Sequence, residues 1–205
     1  MLSPDGSVRR RRVHLVGPAE SGQVTAVVRY DSGARFPAHD HPDGEEILVL
    51  EGVFSDEHGD WPAGTYLLNP EGFRHAPFSR LGCTLFVKLR QYSGPGRAHV
   101  ATDTSKLSWQ SGPDPGVKVK PLYRQAGFAD TVRLERWAPR TQRDSVTYPA
   151  GAEMYVLNGR FEDEMGCYGT ATWLRFPADA VHAPVCDRGC ELYVKEGGLR
   201  YLKQA

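Results

Sequence analysis

The sequence predicts an all-β chain of two tandem jelly-roll barrels, each a double-stranded β-helix built from short antiparallel strands. Its hydrophobic stretches are short, end at glycine or proline, and lack the 3.6-residue period of an amphipathic helix. The chain also repeats itself: Gly52 aligns with Gly159, and that offset of 107 holds without a gap for a long way. A third observation is a run of glycines, a proline and histidines at fixed spacings between Gly33 and His75. Many short strands joined by turns close into a double sheet, and two copies make two barrels.

In chain order, RVHLV at 12–16 and TAVVRY at 25–30 read as the first strands, with the four arginines at 9–12 forming a solvated basic arm. HDHPDGEE at 39–46 follows. On an extended strand alternate side chains share a face, so His39 and His41 point the same way. Pro42, Asp43 and Gly44 make a turn, and Glu45 returns on the next strand towards the same space. That strand continues through EILVLEGVF at 46–54, and TYLLN at 65–69, His75 after the turn Pro70-Glu71-Gly72, and TLFVKLRQ at 84–91 complete the copy. Odd positions from Glu45 share the face of the ligand glutamate, so Leu48 and Leu50 face outwards and need cover, from the second module or from a second subunit in a homodimer.

The stretch 93–116, rich in Gly, Pro, Ser and Asp, reads as a connector. The expected division is a metal-binding module at 1–92, a linker at 93–116 and a second module at 117–205. The second copy has strands VRLERW at 132–137, EMYVLNGRF at 153–161, TATWLRF at 170–176 and ELYVKE at 191–196. Phe54, Asp56, Glu57 and Gly59 meet Phe161, Asp163, Glu164 and Gly166, and His75 meets His182.

Three imidazoles and one carboxylate (His39, His41, Glu45 and His75) form a ligand set for one divalent transition metal, zinc or iron(II), with manganese and nickel also admitted. Gly33, His39, His41, Glu45 and Gly52, then Gly64, Pro70, Gly72 and His75, match the two-part cupin signature G-x5-H-x-H-x3-E-x6-G and G-x5-P-x-G-x2-H at every fixed position. The chain therefore reads as a bicupin. In the second copy His39, His41 and Glu45 become Val146, Tyr148 and Ala152. One imidazole cannot hold a catalytic ion, so the second cupin is expected to be metal-less. It would cover the first barrel or offer an apolar effector pocket.

Composition excludes several classes. Lysine plus arginine and aspartate plus glutamate both number 25, so no net charge draws the chain to nucleic acid or an anionic membrane. No apolar run approaches a membrane span, and VHLVG after the arginines is too short for a signal peptide, which points to the cytoplasm. Cys83, Cys167, Cys186 and Cys190 form no C-x-x-C pair and read as reduced, partly buried thiols, with a thiolate site at Cys186, Cys190 and His182 as the sharper alternative. His14, His58 and His99 lack ligand spacing and read as surface residues.

Beyond the arginines the chain resembles the ChrR-like cupins. The likeness is carried by HDHPDGEEILVLEGVFSDEHGDWPAGTYLLNPEGFRHAPFSRLGCTLFVKLRQ and by GRFEDEMGCYGTATWLRFPADAVHAPVCDRGCELYVKE. It implies a metal held at His39, His41, Glu45 and His75. The family's namesake is an anti-sigma factor whose zinc-binding helical domain grips the sigma factor, while its cupin domain senses singlet oxygen. This sequence offers no counterpart of that helical domain, so a sigma factor is not an expected partner. Other relatives are iron-dependent dioxygenases that cleave diketones or hydroxyaryl ketones.

The expected function is thus a mononuclear metal enzyme of the dioxygenase type acting on a small molecule. Four protein ligands leave up to two open positions on a six-coordinate iron. Ile47, Val49 and Phe73 are candidate pocket walls, and Arg35, Glu46, Glu57 and Tyr66 candidate supporting groups. A zinc-binding sensory module and a purely structural metal are the competing readings.

Overall fold

The computed structural model describes residues 6–203. It divides into two compact units, one running to Lys106 and taking in the stretch from Tyr201, the other Leu107–Arg200. Among the described residues, apart from short 3-10 turns, all regular structure is β, as the short strand-like stretches predict.

The first unit contains Val8–Val16 (β1), Gln23–Tyr30 (β2), His39–His41 (β3), Glu45–Asp56 (β4), Gly59–Pro62 (β5), Thr65–Asn69 (β6), Phe73–His75 (β7), Cys83–Leu89 (β8) and Val100–Asp103 (β9). Its main sheet runs β1-β2-β8-β4-β6-β9, with β5 on β4, and β3 pairs with β7 as a separate two-stranded ladder. One face of the main sheet supplies the core, in which Ala26, Val28, Ile47, Val49, Leu67, Leu85 and Val87 pack together. Each buried valine, leucine or isoleucine there contributes about 1.5–3 kcal/mol by leaving water.

Two expectations change here. The arginines are not a free arm: β1 begins at Val8 and pairs with β2 from Val8↔Tyr30 onward. Arg9 and Arg11 face solvent while Arg10 and Arg12 are half-buried, because alternation lets long aliphatic stems lie on the sheet. The connector is also partly structured. Within 93–116, β9 adds an edge strand to β6 through Thr65↔Asp103 to Leu68↔Val100, and the boundary between units falls at 106/107. Leu48 is only 3 % exposed despite its outward position.

The second unit contains Gln110–Ser111 (β10), Val117–Arg124 (β11), Thr131–Trp137 (β12), Thr141–Gln142 (β13), Val146–Tyr148 (β14) and Ala152–Asp163 (β15). Gly166–Gly169 (β16), Trp173–Phe176 (β17), Ala180–His182 (β18), Val185–Cys186 (β19) and Cys190–Glu196 (β20) follow. Its sheet order β11-β12-β20-β15 repeats β1-β2-β8-β4, and β14 pairs with β18 as β3 does with β7. The shared glycine of the repeat has the same cause in both units. Gly52 and Gly159 adopt φ of 72° and 73°, and a Cβ at either would lie 2.2 Å from the carbonyl oxygen of Gly82 or Gly189.

All four cysteines are free thiols, with Cys83, Cys186 and Cys190 buried and Cys167 exposed. The Cys186 thiol donates to the Arg160 carbonyl at 3.2 Å, and among the described residues Cys186, Cys190 and His182 do not gather as a metal-holding group. No helix among the described residues is long and apolar enough to cross a membrane.

Candidate metal centre

The ligand-bearing strands are short because turns bound them. Gly44 closes the turn after β3 with φ of 73°, and a Cβ there would lie 2.7 Å from Tyr92 Cβ and 2.9 Å from the Asn69 carbonyl oxygen. Only glycine fits, and the tight return makes Glu45 the first residue of β4. Across the β3–β7 ladder His39 faces His75 and His41 faces Phe73.

Donor atoms of His39, His41 and His75 all lie within 4.8 Å of one another. His41 Nε2 and His75 Nε2 are 3.0 Å apart. Glu45 Oε2 is 3.5 Å from the first and 3.6 Å from the second. Ligands bound at about 2.0–2.2 Å to a common ion lie within roughly 4 Å of each other, so this carboxylate and these two rings are already at ligand spacing.

Hydrogen bonds set the rings' tautomers. His39 Nδ1 is 2.9 Å from the Pro37 carbonyl oxygen, which can only accept, so that nitrogen carries the proton. His75 Nδ1 is 3.1 Å from Asp56 Oδ2 and donates to it. In each neutral ring this leaves a bare Nε2. A bare Nε2 on His75 only 3.0 Å from that of His41 requires a proton or a cation between them, which is the condition a metal site meets.

Asp56 is the residue that motif spacing missed. Its Oδ2 holds His75, while its Oδ1 accepts from the His58 amide at 2.9 Å, the Gly59 amide at 3.2 Å and the Trp61 indole at 3.2 Å. Burial opposes its charge, but the hydrogen bonds from His75, His58 and Trp61 outweigh it and hold its pKa below the ordinary carboxylate range. The signal was available: Asp56 is one of the residues both copies share. Asn69 Nδ2 likewise donates to Glu45 Oε2 at 3.1 Å.

Burial pushes the His41 pKa below the usual imidazole value, which favours the neutral ring. For His75 burial acts the same way, but the Asp56 hydrogen bond and the charge of Glu45 outweigh it and raise the pKa. Protons and a cation therefore compete for His75.

The ligands open on a cavity of about 80 Å³ that Arg10, Tyr30, Phe36, Ile47 and Phe54 also line. Of the expected walls only Ile47 does so. Val49 packs in the core instead, and Phe73 lies outside the cavity lining, stacked on His99 with ring centres 5.0 Å apart and edge-on to His75 at 5.7 Å. His99 and His58 are exposed, whereas His14 on β1 is half-buried. None of Arg35, Glu46, Glu57 and Tyr66 lines the cavity. Glu46 accepts from the Tyr92 hydroxyl, and exposed Glu57 accepts from the Ala76 amide at 2.8 Å.

At the equivalent place in the second unit stand Val146, Tyr148 and Ala152. His182 Nδ1 is 3.0 Å from Asp163 Oδ2, repeating the His75–Asp56 pair. Its Nε2 lies 3.4 Å from the Tyr148 hydroxyl.

The family model for the ChrR Cupin-like domain matches twice, over residues 3–93 and 97–200. Among solved structures, a dioxygenase candidate from Nostoc punctiforme superposes with a TM-score of 0.78 at 18% identity, covering 94% of this chain and 75% of that one. Salicylate 1,2-dioxygenase from Pseudaminobacter salicylatoxidans gives 0.66 at 11%, covering 98% and 81%. A single-site mutant of Bacillus subtilis oxalate decarboxylase gives 0.60 at 12%, covering 93% and 72%. At these identities the likeness is one of fold. A search of curated proteins by sequence finds no match.

Proposed function

Because the chain belongs to the ChrR cupin-like family and gathers three imidazoles and a carboxylate at one cavity, we propose that its first barrel is a mononuclear metal enzyme of the dioxygenase type. Its substrate in this reading is a small enolisable ketone or diketone. The carrying observation is the convergence of His39, His41, His75 and Glu45.

These four side chains would hold the ion. Once bound, a divalent metal supplies Lewis acidity and, as iron(II), one-electron chemistry with oxygen. Asp56 fixes the His75 ring so that Nε2 faces inward, and Asn69 fixes the Glu45 carboxylate. Phe36, Ile47, Phe54 and Leu85 line the cavity and exclude water from a reacting enolate. Both oxygen atoms enter the products of a dioxygenase, so the reaction requires no external reductant. A cavity of about 80 Å³ favours compact diketones over aryl ketones.

The test is elemental analysis of protein purified without added metal, followed by oxygen uptake with acetylacetone and related diketones. About one equivalent of iron with turnover is expected. Stoichiometric zinc with no turnover after loading with iron, manganese or nickel would overturn the reading in favour of a sensory or structural site.

A further inference from the structure

Two polar side chains in the metal cavity have no part in the chemistry above. Arg10, from β1, lines the same cavity as the histidines although its neighbours Arg9 and Arg11 face solvent. Its guanidinium carbon lies 5.6 Å from the Phe36 ring centre. Tyr30, from β2, is 7 % exposed and stands edge-on to both Phe36 and Phe54. Among the described residues its hydroxyl has no hydrogen-bond partner. A hydroxyl carried on a buried ring that lines a cavity, with no protein partner, is completed by a ligand or by water.

The internal repeat supplies an independent contrast. By strand register Tyr30 corresponds to Trp137, and Arg10, opposite Val28, corresponds to Val119, opposite Glu135, in the copy that also lacks the ligand set. Trp137 belongs to that unit's apolar core and Val119 packs against it.

We propose that Arg10 and Tyr30 form a carboxylate seat, and that the substrate is a small oxo acid of about the size of pyruvate or oxaloacetate. Its carboxylate accepts from the guanidinium and the phenol, and its enolisable carbonyl faces the imidazoles. Arginine keeps its charge when buried and offers a planar fork that matches a carboxylate. Glu45, the other charged group of the cavity, lies among the imidazoles and repels an anion from that end, which fixes the direction of binding. The carbonyl's placement rests on the metal-enzyme reading; the seat itself does not.

The experiment is calorimetric titration of the full chain with malonate and pyruvate, and with acetylacetone as the uncharged counterpart of malonate. It is run on metal-loaded and on chelator-stripped protein, with melting curves for every variant. Wild type should bind both acids. Arg10→Met should weaken them about 10- to 100-fold, a larger loss than it causes for acetylacetone. Tyr30→Phe should weaken the acids by roughly 3- to 10-fold. Arg10→Lys, which keeps the charge and loses the fork, should fall between wild type and Arg10→Met, and carries the test if Arg10→Met fails to fold. Equal affinity of wild type and both Arg10 variants for malonate would overturn the proposal, as would a wild type that binds acetylacetone and neither acid. If wild type takes up no metal yet stripped protein binds the acids in an Arg10-dependent way, the metal-enzyme reading fails and the seat stands.

Discussion

Where the first barrel carries His39, His41 and Glu45, the second carries Val146, Tyr148 and Ala152. Where the first barrel's wall has Val28, Phe36 and Leu89, the second has Glu135, Arg143 and Glu196. Charge has moved from the ligand cluster to the wall. Glu135, fully buried, accepts from the Trp137 indole at 2.7 Å and pairs with Arg133 at 2.7 Å and Arg143 at 3.5 Å. Arg133 also reaches Glu196 at 2.6 Å. In the first barrel the interior polar groups face one another across a cavity; in the second they neutralise one another directly. The scaffold demands that buried polar groups be satisfied, and an ion is one of two ways its sequence can meet that demand. The aspartate–histidine pair persists in both, so it belongs to the barrel as much as to any metal.

The comparison breaks first at the ligands. His75→Ala should abolish stoichiometric metal binding, whereas His182→Ala should leave metal content unchanged; equal loss in both, by elemental analysis, would mean the ion is not held where the imidazoles converge. Next in size is Glu135→Gln, which leaves Arg133 and Arg143 short of a buried counter-charge. Breaking such a pair costs about 3–5 kcal/mol, read as a lower denaturant midpoint, and no change would show the wall network to be dispensable.

Asp56→Asn and Asp163→Asn then separate the two roles of the shared pair. The first should weaken metal binding by about 10- to 100-fold; the second should alter stability alone. The smallest effect is in acid. Burial opposes the charge of Asp163, but hydrogen bonds from His182, the Met165 amide and the Tyr168 hydroxyl outweigh it and depress its pKa. A depressed folded-state pKa contributes stability that is present above the unfolded carboxylate value, about 4, and lost as pH falls through the folded value. Asp163→Asn should therefore flatten the acid limb of the stability curve by about 1 kcal/mol, and an unaltered limb would remove the pair from the account.

Much of this was legible in the chain. Gly52 and Gly159 announced the repeat because no other residue avoids the facing carbonyl, and the His-x-His spacing put two imidazoles on one face of a strand. Arg10 was not legible, because four consecutive arginines look solvated until pairing with β2 gives the strand its two faces. Val100–Asp103 was obscured by its Gly-, Pro- and Ser-rich surroundings, since an edge strand needs only one partner and little hydrophobicity. Phe73 shares a strand with His75, yet three residues are too few for alternation to fix where a ring comes to rest. Asp56 carried the repeat's signal but not its meaning, which required knowing that the hairpin turn lies beside His75.

That hairpin offers a remote readout. One Asp56 oxygen grips the imidazole of His75 while the other receives the backbone amides of His58 and Gly59. Whatever immobilises the ring also stiffens the loop tip between β4 and β5. Deuterium uptake at those two amides would slow as the barrel fills, letting an event in the interior be timed from the outside.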